Sequence, residues 1–320
     1  MRTWNELDID IEAAGYGISA PLSRHVNLLG SLLGQAIEEQ GGEDIFELVE
    51  SLRTRLKETA LRHDDEERRA IADELQQLSL EEIVWLLRSY AAYFHLVNKA
   101  EQVEITRINR ERAKVAREDA PRTESIAAAI YQLKEEGHSL DQVMDLLESL
   151  DIQPTLTAHP TEARRRSILF KQQKIASLLS ELSFHDVTPT EEDENYRDIY
   201  NQISLLLTTD EIRTHRPSVL DEVKHGLYFF GSSIWETVPR IFEDVREAIE
   251  DYYGEHPDLP TFLKYRSWIG SDSDGNPKVT PDVTRQTIRT HHMTALKRYI
   301  DGVKELRNVL SISDRQVDVP

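Results

Sequence analysis

TLTAHPTEARRRS, residues 155–167, decides the fold. It overlaps a short β-branched run, IQPTLT (152–157), which is too brief for a helix. Pro154 removes a backbone donor and makes the run a poor central strand. The chain turns through His159 and Pro160, and a helical pattern resumes near Glu162 and runs to about Ser183. Strand, polar turn and helix are the grammar of a βα-barrel, where chemistry gathers at the C-terminal ends of strands. His159 falls at such an end. It is either a structural imidazole bonded to backbone or a base titrating near neutrality. Arg164, Arg165 and Arg166 follow within the first turns of the next helix. A solvated charged face explains them, and so does an anion held by guanidinium groups and helix amides together.

Outward from this stretch, one other segment repeats the pattern. FLKYRSWIG (262–270) is a second strand candidate, and SDSDGNP (271–277) is turn chemistry throughout. Thr280 then suits an N-cap, with Pro281 at the first helical position. Ile288, His292, Ala295, Tyr299, Val303 and Leu306 mark the helix that follows. The remaining periodic segments are helical. Leu78 to about Arg117 reads as one long helix or two, opened by the capping-box pair Ser79 and Glu82. Ser139 and Gln142 open another helix. Ser218 to Asp251 reads as a long helix that Pro239 should kink. Residues 185–195, HDVTPTEEDEN, read as a polar loop. The fold class is mainly α with a few short parallel strands. Two βα units cannot close a barrel, so either the strands sit in a helical domain or the chain is part of something larger.

Bulk properties exclude several classes. The 320 residues carry a net charge of −20, which disfavours nucleic acid and anionic membranes as partners. There is no cysteine, hence no disulfide framework and no thiolate chemistry. The first residues, MRTWNELDIDIEAAG, lack the basic and apolar regions of a signal peptide. The longest apolar run, IVWLLRSYAAYFHLV, is interrupted by Arg88 and does not suit a membrane span. The expectation is a soluble, helix-rich, cytoplasmic protein.

Two further segments invite a site. Asp272, Asp274 and Asn276 resemble a calcium loop, but an EF-hand opened by Asp272 needs glycine and glutamate where Pro277 and Val283 stand. The segment is therefore a tight turn, or a loop that displays its amides beside a site. In TTDEIRTHRPS (208–218), Asp210, Glu211 and Arg213 read alone as a surface charge cluster.

TLTAHPTEARRRS, TTDEIRTHRPSVLDEVKHGLYFFGSSIWETVPRIF and SWIGSDSDGNPKVTPDVTR occur in that order, and together they resemble the signature segments of phosphoenolpyruvate carboxylase. YFHLVNKAEQ resembles the family's N-terminal region. The resemblance implies carboxylation of phosphoenolpyruvate by bicarbonate to oxaloacetate and phosphate, an anaplerotic reaction, with Mg2+ or Mn2+. It implies an allosteric homotetramer built on a helix-rich (β/α)8 barrel. By motif position His159 matches the catalytic histidine. Arg165 and Arg166 match an arginine pair that binds substrate or an activating sugar phosphate. Trp268, Gly270, Asp272, Asp274, Gly275 and Asn276 match an active-site loop, and Arg213 is a possible accessory residue. This chain departs from the pattern at Ser271 and Ser273, where the family carries a glycine and an arginine.

Family chains are much longer, and their metal ligands lie in the part with no counterpart here. The expectation is therefore an N-terminal portion, cut in a loop after Asp318 and inactive alone. Residues 1–150 would form a helical region, and 151–320 the first barrel strands with inserted helices. Two other readings remain open. One is a phosphotransferase phosphorylated on His159, although the chain has no Walker-type loop. The other is a helical regulatory or oligomerisation module that binds a sugar phosphate.

Overall fold

The computed structural model describes residues 19–310, apart from 63, 159–164, 185, 211–216 and 275. In chain order the elements are α1 (Ala20–Gly41), α2 (Glu43–Arg62), α3 (Asp65–Leu75), α4 (Leu80–Val115), α5 (Ile126–Glu135), α6 (Leu140–Ser149), β1 (Thr155–Leu156), α7 (Arg166–Phe184), α8 (Pro189–Leu207), α9 (Val219–Phe229), a π-helical turn (Phe230–Ile234), α10 (Trp235–Tyr253), β2 (Arg266–Ser267) and α11 (Pro281–Val309). They fall into two compact units. One comprises residues 1–114 and 164–212, the other 115–163 and 213–320. No helix among the described residues is long and apolar enough to cross a membrane.

The first unit is helical. Leucines and isoleucines recurring at three- and four-residue steps give α1, α4, α7 and α8 apolar stripes, which bury Leu32, Leu96, Ile175 and Ile203 in one core. α4 runs as a single helix from a complete cap. Ser79 Oγ accepts the Glu82 N–H at 3.3 Å, and the Glu82 carboxylate accepts the Ser79 N–H at 2.7 Å. The expected loop at 185–195 is corrected. α8 begins at Pro189, because Thr188 and Glu191 close a reciprocal capping box around a proline at the first helical position. The acidic run that looked like solvated loop supplies negative charge to the helix N-terminus.

In the second unit, α5, α6 and α10 enclose a core that includes Val143, Ile249 and Phe262. A smaller core joins Val223 and Leu227 of α9 to Ile269. The helix expected from Ser218 is interrupted. A π-helical turn separates α9 from α10, and Pro239 lies inside α10. The widened turn precedes the residue that cannot complete an α-helical bond, a usual site for such irregularity.

The two strand candidates are paired and parallel, with Thr155 opposite Arg266 and Leu156 opposite Ser267. They are shorter than the apolar runs suggested, with one further bridge between Ile152 and Leu263. The rungs run from Ile152 N–H to Phe262 O at 2.8 Å, Lys264 N–H to Ile152 O at 2.9 Å and Arg266 N–H to Pro154 O at 2.9 Å. Pro154 accepts a rung and has no N–H to return one, which weakens the ladder at its centre. Among the described residues the sheet has two strands, and a barrel is not seen.

Candidate active site

The last rung of the ladder builds the site. The Trp268 N–H donates to the Leu156 carbonyl at 2.9 Å. This bond fixes the end of β1 against the end of β2. The two strand ends are thereby neighbours; in sequence β1 continues through Thr157 and Ala158 to the histidine motif, and β2 continues into the SDSDGNP turn. His159 itself lies outside the described residues, as do Gly275 and Arg213.

The turn after β2 is held from inside. Ile269 is buried beside Val223 and Leu227. Gly270 has φ +81°, in the left-handed region, and a Cβ there would meet Thr287 Oγ1 at 2.3 Å and Val223 Cγ2 at 2.7 Å. Only glycine satisfies both the backbone angle and the contact. The chain then folds on itself. Ser271 and Asp272 donate their N–H groups to the Trp268 carbonyl at 3.0 and 3.1 Å. Asp274 N–H donates to Asp272 Oδ1, and Lys278 N–H to Asn276 Oδ1, each at 3.2 Å. Asp272 and Asn276 thus turn the loop through their own side chains. Trp268 is left 57 % exposed at the strand end. Ser271 and Ser273 are exposed and add no charge.

Among the described residues no three His, Asp or Glu side chains converge as ligands. One Asp272 oxygen is already occupied by a backbone amide.

Arg165 and Arg166 belong to the first unit. Arg165 is half-buried, and its carbonyl accepts the Ile168 and Leu169 amides at 3.0 and 3.3 Å. Arg166 is the exposed first residue of α7. Asp210 is committed elsewhere in that unit, in an ion pair with Arg88 at 3.1 Å.

One polar cluster escaped the sequence reading. Arg107 grips the buried Glu104 through two bonds of 2.8 Å, and Ser19 Oγ donates to the same carboxylate at 2.5 Å. These bonds hold the Glu104 carboxyl below its usual range. His25 stands nearby, with Nε2 3.2 Å from Ser183 Oγ. That hydroxyl donates to the Leu179 carbonyl, so the ring nitrogen is the donor and buried Nδ1 is an acceptor with no partner among the described residues. Burial is the largest influence on His25 and pushes it below 6.5, with Glu104 opposing. An adjoining groove of about 530 Å3 carries both signs, Arg24 and Arg107 against Glu111 and Glu192, and so selects no ligand charge. The Glu104–Arg107 spacing on one helix was the available signal; Ser19 and His25 arrive from other segments.

Comparison with known proteins agrees with the motif order. The family model for phosphoenolpyruvate carboxylase matches residues 22–320. Relatives named phosphoenolpyruvate carboxylase include one from Rhodothermus marinus, 55 % identical over 96 % of this chain and 33 % of its own length. Another from Roseiflexus castenholzii is 40 % identical over 94 % of this chain and 32 % of its own. One from Thermus thermophilus is 39 % identical over 94 % of this chain and 34 % of its own. The chain thus spans about a third of the length of the curated relatives it matches. With the family model covering nearly all of it, the chain belongs to the phosphoenolpyruvate carboxylase family.

Proposed function

We propose that these 320 residues form the N-terminal third of an enzyme that carboxylates phosphoenolpyruvate with bicarbonate, giving oxaloacetate and phosphate. The observation that supports this reading is the Trp268–Leu156 bond, which joins the ends of two adjacent parallel strands, one followed in sequence by the histidine motif and the other by the SDSDGNP turn. It complements the family match.

In this reading bicarbonate attacks the phosphoryl group, the bond from phosphorus to the enol oxygen breaks, and carboxyphosphate and an enolate remain. His159 takes the carboxyl proton of carboxyphosphate, which breaks down to carbon dioxide and phosphate. The enolate carbon then attacks carbon dioxide. A base near neutral pKa at a strand end suits that proton transfer. Trp268 shields the reacting groups from water, and the SDSDGNP turn displays its backbone to the anions. Arg165 and Arg166, at the N-terminus of α7, hold a phosphate of substrate or of an activating sugar phosphate. Arg213 is accessory. Mg2+ or Mn2+ is bound by residues outside this third. The whole enzyme is a cytoplasmic homotetramer in which β1 and β2 belong to a larger (β/α)8 barrel, a form in which parallel strands are covered on both faces. The chain by itself does not catalyse.

The test is a hybrid in which residues 1–320 are joined to the remaining two-thirds of the Rhodothermus marinus relative. Oxaloacetate is followed by coupled reduction to malate. The expected result is turnover by the hybrid and none by the 320 residues alone. In the hybrid, His159→Asn lowers kcat by roughly 100- to 10,000-fold, the span usual for loss of a general base. Near-normal turnover by His159→Asn would remove the assignment.

A further inference from the structure

The two-stranded sheet has unlike faces. Thr155 stands opposite Arg266 and Leu156 opposite Ser267, and side chains alternate along a strand. Leu156 and Ile269 share one face, which packs on Val223 and Leu227 of α9. Asp151, Gln153, Thr155, Lys264, Arg266 and Trp268 alternate onto the other face, where all six are exposed. In a (β/α)8 barrel helices cover the outer face of the strands, and the face turned away from them lines the interior beneath the active site.

Four of these side chains form one run of hydrogen bonds. Lys264 Nζ donates to Asp151 Oδ1 at 3.2 Å. Gln153 Nε2 donates to Asp151 Oδ2, and Arg266 Nε donates to Gln153 Oε1. An ionised carboxylate only accepts and a guanidinium only donates, so the two ends fix which way the Gln153 amide faces. The charges do not cancel along the run. Lys264 and Asp151 neutralise each other, and the Asp151 carboxyl is held below its usual range first by the Lys264 hydrogen bond and least by the Arg266 charge. Arg266 meets only the neutral amide, which leaves one positive charge at the end of the run nearest Trp268 in sequence. Among the described residues its Nη1 and Nη2 groups have no bond. They form the edge of the guanidinium that meets a planar carboxylate through two parallel bonds.

We infer that Arg266, oriented by Gln153, is a substrate-binding residue that takes a planar carboxylate, either that of phosphoenolpyruvate or bicarbonate itself. This rests on the reading that the chain is one third of a carboxylase whose strands close into a barrel. Both substrates carry such an anion, and no side chain named above for the reaction receives it. The alternative is a tie that holds the two strands together, which would serve as well with the Arg266 charge cancelled.

The test uses the Rhodothermus marinus hybrid, with KM taken separately for phosphoenolpyruvate and for bicarbonate. Arg266→Gln should raise at least one of them by about 10- to 150-fold, the loss expected when a hydrogen bond to a charged group goes. The larger rise names the anion. Arg266→Lys keeps the charge without the fork and should fall between. Gln153→Glu is the deciding variant. It keeps Arg266 and its cross-strand contact but cancels the free charge, and it should raise the same KM by about 10-fold or more. Urea unfolding checks that each variant is folded; where Arg266→Gln is not, Gln153→Glu decides alone. Unchanged KM values in Gln153→Glu, or a loss confined to kcat, would overturn the inference in favour of the tie. A hybrid that makes oxaloacetate and is indifferent to both variants refutes the role of Arg266 alone. A hybrid that makes none, yet in calorimetry binds phosphoenolpyruvate or bicarbonate more weakly once Arg266 is replaced, refutes the carboxylase reading alone. A hybrid that neither turns over nor binds counts against both.

Discussion

Gly270→Ala tests the packing behind the candidate site. The substitution has two costs and one gain. An L-residue at φ +81° leaves the favoured region, which costs about 1–2 kcal/mol. The new methyl would lie 2.3 Å from Thr287 Oγ1 and 2.7 Å from Val223 Cγ2. Displacing those groups is overpacking, at about 1–3 kcal/mol. It also strains the bond that Thr287 Oγ1 donates to the Val283 carbonyl at 2.9 Å. Against this, alanine narrows the unfolded ensemble by about 0.4–1 kcal/mol. The net is a loss of roughly 1–4 kcal/mol, confined to the second unit. Hydrogen exchange of peptides covering 219–229 and 262–271 reads that unit directly. Amides there that exchange by unfolding should lose protection by about 5- to 1000-fold. Peptides covering α7 and α8 serve as the unchanged reference. Adding Thr287→Ala removes one of the two clashing side chains and should restore part of the loss, a coupling visible in a double-mutant cycle. A change within about 0.5 kcal/mol for Gly270→Ala, the size of an ordinary surface substitution, would refute the close approach.

Other consequences concern the first unit. Glu104 is held below the ordinary glutamate value of 4.5, chiefly by the Arg107 hydrogen bonds. Its contribution is therefore complete above pH 4.5 and is lost as pH falls through the lower folded value. Glu104→Gln should flatten that part of the stability profile and cost about 1–3 kcal/mol at pH 7, measured by urea unfolding. The same substitution should lower the His25 pKa further, because Glu104 raises it against burial, Arg24 and Arg107; a rise in an NMR titration would contradict the geometry. His25 binds fewer protons folded than unfolded, so its effect is to reduce stability as pH drops below 6.5. Thr188→Ala should cost about 1 kcal/mol and speed exchange of the Glu191 and Glu192 amides, while α4 stays unchanged.

What could be read from sequence followed the range of the interactions. Ser79 with Glu82 and Ser139 with Gln142 were legible because a capping box closes within four residues. Thr188 with Glu191 has the same form and was obscured by its acidic surroundings. The strand candidates were visible as β-branched or aromatic runs between turns, but their parallel register depends on partners more than a hundred residues apart. Pro239 signalled an irregular helix, and the irregularity lies upstream at Phe230–Ile234. Gly270 was legible as part of a motif, while its reason, the approach of Thr287 and Val223, came only from tertiary structure.

The Trp268–Leu156 bond has a consequence for how the protein can change over generations. Both of its groups are main-chain groups, so no exchange of side chain removes either of them except proline at position 268, which has no N–H to donate. The whole of α7 and α8 lies between the two strands in sequence, so length changes there leave the bond untouched. A single residue inserted between Lys264 and Trp268 is different. It would shift the pairing by one and turn every following side chain to the other face of the strand. Selection on this junction therefore falls on spacing within a few residues, and tolerates wide drift in everything that separates them.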